Sequence, residues 1–170
     1  YTVDLLDQEI RAELTASPRV GMHRYTFPAT PQPAIFLDLG YAINWDSPVT
    51  TSVKVVNDTL FTGYRFSEGW ARDQRLFFAL VFSRPVRSIA FGEAGTPLEA
   101  LNRRAVAAGN VRVTSTGLRA LFALDPTTEG EAVLLKVGLS YVDEDGPRYT
   151  LPPYLPRREF NASREGPRHS

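Results

Sequence analysis

Alternation of apolar and polar residues with a period of two runs through most of this 170-residue chain and constrains its fold more than any other feature. Segments 20–27 and 60–66 alternate in this way, and Asn57 and Asp58 supply a hairpin turn before the second of them. Segment 76–82 is almost continuously apolar, which is typical of a central strand. About eleven such segments, separated by Gly, Pro and Asn-Asp turns, predict an all-β fold, an antiparallel two-sheet β-sandwich.

Three further segments carry more specific expectations. Residues 34–40 form an apolar run that predicts a strand covered on both faces. Residues 97–108 alone have helical spacing, so the fold has at most one short helix. Residues 115–117 predict a tight turn between strands at 111–114 and 118–124.

The end of the chain differs from the rest in composition. From Asp143 onward the sequence has five prolines and no apolar periodicity. This pattern is typical of an extended or disordered segment. We therefore expect a β-sandwich domain over residues 1–142 and a proline-rich tail or linker over residues 143–170.

Composition excludes several functional classes. Lys plus Arg and Asp plus Glu both number 19, so there is no net basic charge to attract nucleic acid. Cysteine is absent, which excludes disulfides, Cys-ligated zinc and thiol nucleophiles. No apolar run approaches the ~18 residues of a membrane span. The start of the chain has no basic and apolar leader, so we interpret it as a chain cut within a strand.

No catalytic or metal-binding set can be assembled from the sequence. His23 and His169 are the two histidines and stand far apart, so neither a zinc motif nor a Ser-His-Asp triad is supported. The acidic run at 143–145 lacks the remaining ligands of a calcium loop. Glycoside hydrolysis needs two carboxyl groups about 5–10 Å apart, and nothing selects a pair among the acidic residues near aromatic ones. These acidic residues are Asp38, Asp46, Glu68 and Asp73.

The best local signal for binding lies in residues 63–74. Trp70 and Tyr64 offer apolar ring faces, and Arg65 and Gln74 offer planar polar groups, which together suit the C–H faces and hydroxyls of a sugar. Trp45, in a predicted turn, is a second and more exposed candidate. The competing interpretation, slightly favoured, makes Trp70 a core residue of the sandwich.

Several motifs in order resemble the N-terminal domain of glycoside hydrolase family 92, the exo-acting α-mannosidases. They are IRAELTA at 10–16, GMHRYTFP at 21–28, GYR at 63–65, GWA at 69–71 with Gln74, FFA at 77–79 and VLLKVGLS at 133–140. The resemblance extends to about Tyr141. Beyond it, the proline-rich run at 152–156 departs from the family pattern.

The resemblance implies that this β-sandwich is an incomplete N-terminal domain of a larger bacterial, exported enzyme. Family members pair it with an (α/α)-barrel domain, place a calcium ion at the interface between the two and invert configuration. The catalytic acid and base lie in that barrel domain, which is missing here. We therefore expect this chain to be inactive alone, to bind no calcium itself, and to supply a cleft wall and domain docking in an enzyme that acts on mannose-containing glycans. The alternatives are a stand-alone carbohydrate-binding sandwich and an adhesion module.

Overall fold

A computed structural model describes residues 1–106, 111–149 and 151 and shows the predicted all-β sandwich. Its first six strands are β1 Thr2–Leu5, β2 Ile10–Ala16, β3 Val20–Phe27, β4 Ala34–Asp38, β5 Ser47–Val55 and β6 Leu60–Glu68. The other six are β7 Gln74–Phe82, β8 Val86–Glu93, β9 Asn102–Ala105, β10 Arg112–Ser115, β11 Leu118–Leu124 and β12 Glu131–Ser140. A 3₁₀ turn at Leu98–Ala100 and a one-turn helix, α1 at Gly146–Tyr149, complete the described elements.

The strands form two sheets of unequal size, and every pairing within them is antiparallel. The larger sheet has the order β1-β2-β3-β12-β7-β6-β5-β10, and the smaller has the order β4-β11-β8-β9. The apolar run at 76–82 lies in β7, inside the larger sheet, as its sequence predicts. In the described part of the chain, no helix is long and apolar enough to cross a membrane.

The core lies between the two sheets and consists of the inward-facing half of each alternating pattern. Phe61 from β6, Phe82 from β7 and Phe122 from β11 meet at its centre, with ring centroids 5.1–5.6 Å apart. Phe61 and Phe122 are fully buried. Fully burying a side chain of this size contributes about 1.5–3 kcal/mol, so the period-two pattern itself provides the main stabilisation.

The hairpin predicted at Asn57 joins β5 to β6. The side-chain oxygen of Asn57 accepts hydrogen bonds from the backbone N–H groups of Thr59 and Leu60, at 2.9 and 2.7 Å. An asparagine side chain that accepts from the backbone two or three residues ahead is a common means of closing a turn. The prediction is confirmed.

The helix expected over residues 97–108 is wrong. The chain makes a single 3₁₀ turn at Leu98–Ala100 and then forms β9, which pairs with β8 from Ser88 to Phe91. Pairing with an existing sheet edge overrides the weak local preference for helix. The last two residues of the predicted helix, 107 and 108, lie outside the described residues.

Two other expectations also need correction. The run at 34–40 contains β4, which is an edge strand of the smaller sheet rather than a strand covered on both faces, and its Phe36 is exposed. A short apolar run cannot distinguish these two positions.

Residues 115–117 do not close a hairpin, because β10 pairs with β5 while β11 pairs with β4 and β8. They carry the chain from one sheet to the other.

The beginning of the proline-rich segment packs on the outer face of the larger sheet. Pro147 and Leu151 are buried, and Gly138 of β12 makes room for them, because a Cβ there would lie 2.7 Å from the Pro147 carbonyl oxygen. The Glu144 carboxylate accepts hydrogen bonds from Arg112, at 2.7 and 2.8 Å, and from the Thr62 hydroxyl at 2.9 Å. These residues are folded rather than extended, while the proposed domain boundary at 142 stays a prediction.

Candidate functional site

Two loops at one end of the sandwich bring the two tryptophans together. Trp45 lies in the β4–β5 connection and Trp70 in the β6–β7 connection. Their ring centroids are 5.8 Å apart, at an interplanar angle of 79°, so they form an edge-to-face pair. Close backbone approach supports this pairing, because a Cβ at Gly69 would lie 3.0 Å from the Trp45 carbonyl oxygen.

Both indole rings face solvent. Trp70 is 88% exposed and Trp45 is 72% exposed. The interpretation of Trp70 as a core residue is therefore wrong. Trp70 lies outside both strands, in a loop whose Gly69 N–H bonds to the Ala71 carbonyl, so it does not take part in the inward alternation of β6 or β7.

Arg65 holds the Trp45 loop to the sheet. Its guanidinium group donates to the carbonyl oxygens of Leu39 and Tyr41, at 3.0 and 3.1 Å, and to a carboxylate oxygen of Asp46. Asp46 follows Trp45 directly in the sequence. The hydrogen bond from Arg65 holds the pKa of Asp46 below its ordinary value, so the pair is ionic at neutral pH.

Gln74 and Arg65 line one groove of about 500 Å³. Its other lining residues are Ser67, Asp73, Arg75, Leu76 and Tyr141. Arg65 thus belongs both to this groove and to the ion pair beside Trp45. The structure therefore brings Trp45, Trp70, Arg65 and Gln74 to the same end of the sandwich.

Tyr64, the fifth predicted residue, is placed elsewhere. Side chains alternate across a strand, and Arg65 has the same parity as the buried Phe61, so Tyr64 faces the outer surface of the larger sheet. There it stacks on Phe66 at 4.5 Å between centroids, and Arg112 lies over it at 5.7 Å. Tyr64 therefore forms part of a separate aromatic surface.

Two carboxylates of this region are held by arginines. Asp46 pairs with Arg65, and Asp73 pairs with Arg75 at 3.1 Å. The sequence singled out these carboxylates but contained no signal that would match Asp46 to Arg65, because the two are 19 positions apart and meet only through the fold. Tyr141 lines the groove beside Arg65 and Gln74, but no sequence pattern distinguishes it, so the sequence analysis did not identify it.

The remaining candidates for chemistry take structural roles. His23 Nδ1 lies 2.7 Å from the hydroxyl of Tyr25, and burial lowers the pKa of His23. In the acidic run, the Asp143 carboxylate accepts from the N–H of Gly146 at 2.6 Å. Among the residues that the structure describes, no group of three or more His, Asp or Glu side chains is arranged to hold a metal ion.

The structure is a two-sheet domain with exposed aromatic residues at one end. Comparison with known protein families assigns this domain to a family. Residues 1–140 match the model of the glycosyl hydrolase family 92 N-terminal domain. The chain therefore belongs to glycosyl hydrolase family 92, as the resemblance predicts. No curated protein matches the sequence.

Solved structures agree with this assignment. The chain is 29% identical to the family GH92 α-mannosidase BT3965 from Bacteroides thetaiotaomicron, with a TM-score of 0.74 over 88% of this chain and 20% of that one. For BT3965 in complex with mannoimidazole, the identity is 28% and the TM-score 0.79, over 97% of this chain and 21% of that one.

A more distant match has the same fold. The inverting mannosidase BT2199 from the same organism is 16% identical, with a TM-score of 0.69 over 97% of this chain and 21% of that one. The present chain thus spans about a fifth of the length of these enzymes.

Proposed function

We propose that this chain is the N-terminal β-sandwich part of an exported bacterial exo-α-mannosidase that acts on mannose-containing glycans. In this proposal the sandwich supplies one wall of the substrate cleft and docks on an (α/α)-barrel domain that carries the catalytic acid and base. The observation that carries the proposal is the family match over residues 1–140. The 29% identity to an α-mannosidase over 88% of the chain supports the substrate class.

The exposed tryptophan pair is the part of the chain best suited to face a sugar. The C–H groups on one face of a pyranose ring pack against an aromatic ring, and Trp45 and Trp70 offer two rings at nearly right angles. The Gln74 amide, in the neighbouring groove, has both a donor and an acceptor for hydroxyl groups. Arg65 is already bonded to three loop acceptors, so its role is to hold the Trp45 loop in place.

Calcium and inversion belong to the proposed whole enzyme. The described residues of this chain do not fit a calcium site, because no three acidic or histidine side chains among them converge. No reaction step is therefore assigned to a metal on this chain. An inverting mechanism requires two carboxyl groups about 6.5–9.5 Å apart with a water between them, and the proposal assigns both to the barrel domain.

Mannose release tests this proposal. The 170-residue chain and a longer polypeptide that includes the barrel domain are each incubated with an α-linked mannose disaccharide, with calcium and then with a chelator. We expect release only from the longer polypeptide and only with calcium. Release by the 170-residue chain would place the acid and base within it and overturn the division of roles.

A second candidate function, stand-alone carbohydrate binding, is favoured by the exposure of both tryptophans. Because both indoles lie at the site, titration with mannose oligosaccharides should change their fluorescence if the sandwich binds sugar alone. Trp70→Ala should then abolish the saturable change, while Tyr149→Ala, which removes an exposed ring on α1, should preserve it. A flat titration of the unaltered chain would eliminate this function.

A further inference from the structure

The outer face of the larger sheet carries a buried patch on β2, β3 and β12. Met22 of β3 and Leu134 of β12 form a small apolar cluster, and each is only 6% exposed. Lys136 of β12 and Glu13 of β2 flank them and are 3% and 6% exposed. These four residues, the outer patch, alternate along their strands with residues of the core, so they point away from it.

Burial of this kind requires atoms above the sheet. Side chains stand roughly perpendicular to a sheet, so the end of a long side chain reaches water on a face that nothing covers. Arg75 of β7 shows this on the same outer face, since its side chain is 59% exposed. Lysine and glutamate are among the residues least often fully buried. The low exposure of Lys136 and Glu13 therefore indicates that the outer patch is covered.

The segment that follows β12 crosses the outer face toward this patch. It begins over β6, where the Glu144 carboxylate accepts from the Thr62 hydroxyl. It then reaches β12, where Leu151 is buried and its side chain lies close to Gly138. The order of the strands is β6-β7-β12-β3-β2. The chain has thus moved from β6 to β12 by Leu151, and the strands next in line are those of the outer patch.

The distances fit the residues that come directly after Leu151. Along the sheet, Met22 lies about 8 Å and Leu134 about 13 Å from the position of Leu151, at the usual spacings of strands and residues. The next five residues are Pro-Pro-Tyr-Leu-Pro. Such a run adopts polyproline II with a rise of about 3.1 Å per residue, so Tyr154 lies about 9 Å and Leu155 about 12 Å along it.

We propose that residues 152–156, which lie outside the described residues, pack across the outer patch, and that Tyr154 and Leu155 cover Met22 and Leu134. The three prolines of this run restrict it to an extended backbone before it docks, which lowers the entropic cost. Because proline has no N–H, the run packs on side chains rather than adding to the sheet as a strand. The inference concerns this chain alone and does not rest on the proposed function.

The chemistry of the outer patch suits a tyrosine. The Met22 thioether makes favourable contacts with aromatic rings. Arg24, beside Glu13 on the same face, donates to both oxygens of its carboxylate, at 2.6 and 2.7 Å. A guanidinium group held in this way presents a plane on which an aromatic ring stacks. Tyr154 therefore finds both an apolar and a planar cationic partner at the outer patch.

A segment of the same chain has an advantage over any separate occupant. It starts one strand away from the outer patch, and so short a tether gives an effective concentration in the mM range. A second copy or another domain would have to displace it. In the proposed longer enzyme, the barrel domain then docks on a surface other than the outer patch.

Oxidation of Met22 by hydrogen peroxide tests the proposal, because Met22 is the single methionine of the chain. Mass spectrometry follows the addition of one oxygen atom. Tyr154→Ala/Leu155→Ala should oxidise at least about 10-fold faster than the unaltered chain, because access to the sulfur sets the rate. Tyr141→Ala/Val142→Ala is the matched control. It also replaces a tyrosine and the aliphatic residue after it, but both are exposed, so the rate should stay unchanged.

Three outcomes would overturn the proposal. Equal rates in all three chains would show that residues 154 and 155 do not cover Met22. Equal acceleration in both variants would show that the cover is not specific to this run. An oxidation rate of the unaltered chain that rises on dilution would make a second copy the cover. Slow amide exchange at Val133 in every chain confirms that oxidation does not proceed through global unfolding.

A spin label gives an independent test that leaves Tyr154 and Leu155 in place. The chain has no cysteine, so Arg157→Cys provides a single attachment point. The label should broaden the amide signals of Met22 and Leu134 but not that of Phe91 in the smaller sheet. Unbroadened signals at Met22 would refute the proposal. Broadening in a mixture of labelled chains with unlabelled, isotope-enriched chains would also refute it, because the segment would then lie on a second copy.

Discussion

Arg65 shows how one side chain can fix the conformation of a neighbouring loop. It lies on the inward-facing parity of β6, and its side chain is 17% exposed. From there it reaches two backbone carbonyls and the Asp46 carboxylate. The loop that carries Trp45 therefore depends on a residue from a different strand.

Replacing Arg65 should cost more stability than replacing a surface arginine. Arg65→Ala leaves the partly buried Asp46 carboxylate without its partner, and we expect a loss of about 2 kcal/mol in the free energy of unfolding. Arg75→Ala is the matched control, because Arg75 pairs with Asp73 in a solvent-exposed bridge and should cost less than about 1 kcal/mol. Urea denaturation of both variants measures the difference. Equal losses would show that the Arg65 contacts contribute little.

The contribution of Asp46 to stability should depend on pH. Its folded pKa lies below its ordinary value because Arg65 donates to it. The stabilisation is therefore complete above the unfolded pKa of about 4 and is lost as the pH falls through the lower folded pKa. The difference in unfolding free energy between the unaltered chain and Asp46→Asn should be constant above about pH 5 and shrink below pH 4. A difference that stays constant down to pH 3 would refute this assignment.

At the scale of elements, Gly138 connects β12 to the segment that follows the sandwich. A Cβ at this position would lie 2.7 Å from the Pro147 carbonyl and 3.0 Å from Leu151 Cγ, so α1 and Leu151 can approach the sheet closely. The Glu144 carboxylate, bonded to Arg112 and Thr62, fixes the start of the same segment. The position of this segment on the sheet therefore depends on the lack of a side chain at Gly138 and on the ion pair between Glu144 and Arg112.

Gly138→Ala should displace the segment or strain the sheet, at a cost of about 1–3 kcal/mol. Limited proteolysis should then cleave near residues 143–151 faster than in the unaltered chain. Gly21→Ala in the adjacent β3 is the control, because a Cβ there would lie no closer than 3.4 Å to any neighbouring atom. If the two variants resist protease equally, the contact at Gly138 does not hold the segment.

The elements also show where sequence reasoning worked. Strands β3 and β11 begin and end at the predicted residues, because both alternate apolar and polar residues up to a clear stop. Pro28 follows β3, and Asp125-Pro126 follows β11. Strand β9 was missed because its four residues, Asn102–Ala105, have no alternation of their own and become a strand by pairing with β8. The alternation of apolar and polar residues shows that one face of a segment is buried. It does not show whether a segment without alternation will pair with the edge of a sheet.

At the scale of the whole molecule, the contacts of Pro147 and Leu151 bear on the domain boundary. A chain that ends at residue 142 lacks both buried side chains, whereas a chain that ends at residue 151 keeps them. We expect the shorter chain to be less stable by at least about 2 kcal/mol, since burial of one leucine contributes that much. Thermal and urea denaturation of the two chains measure the difference. Equal stability would support the boundary at 142.

The sequence by itself determined the all-β class, most strand positions, the central strand β7 and the family. Alternation and turn residues are local signals, and the family motifs occur in order along the chain. Tertiary structure alone decided that Trp45 and Trp70 meet, that Tyr64 lies on the opposite face from Arg65, and that β4 is the outer strand of the smaller sheet. The physical reason is that these facts depend on how strands distant in sequence pair and how two sheets of unequal width pack, which no local pattern specifies.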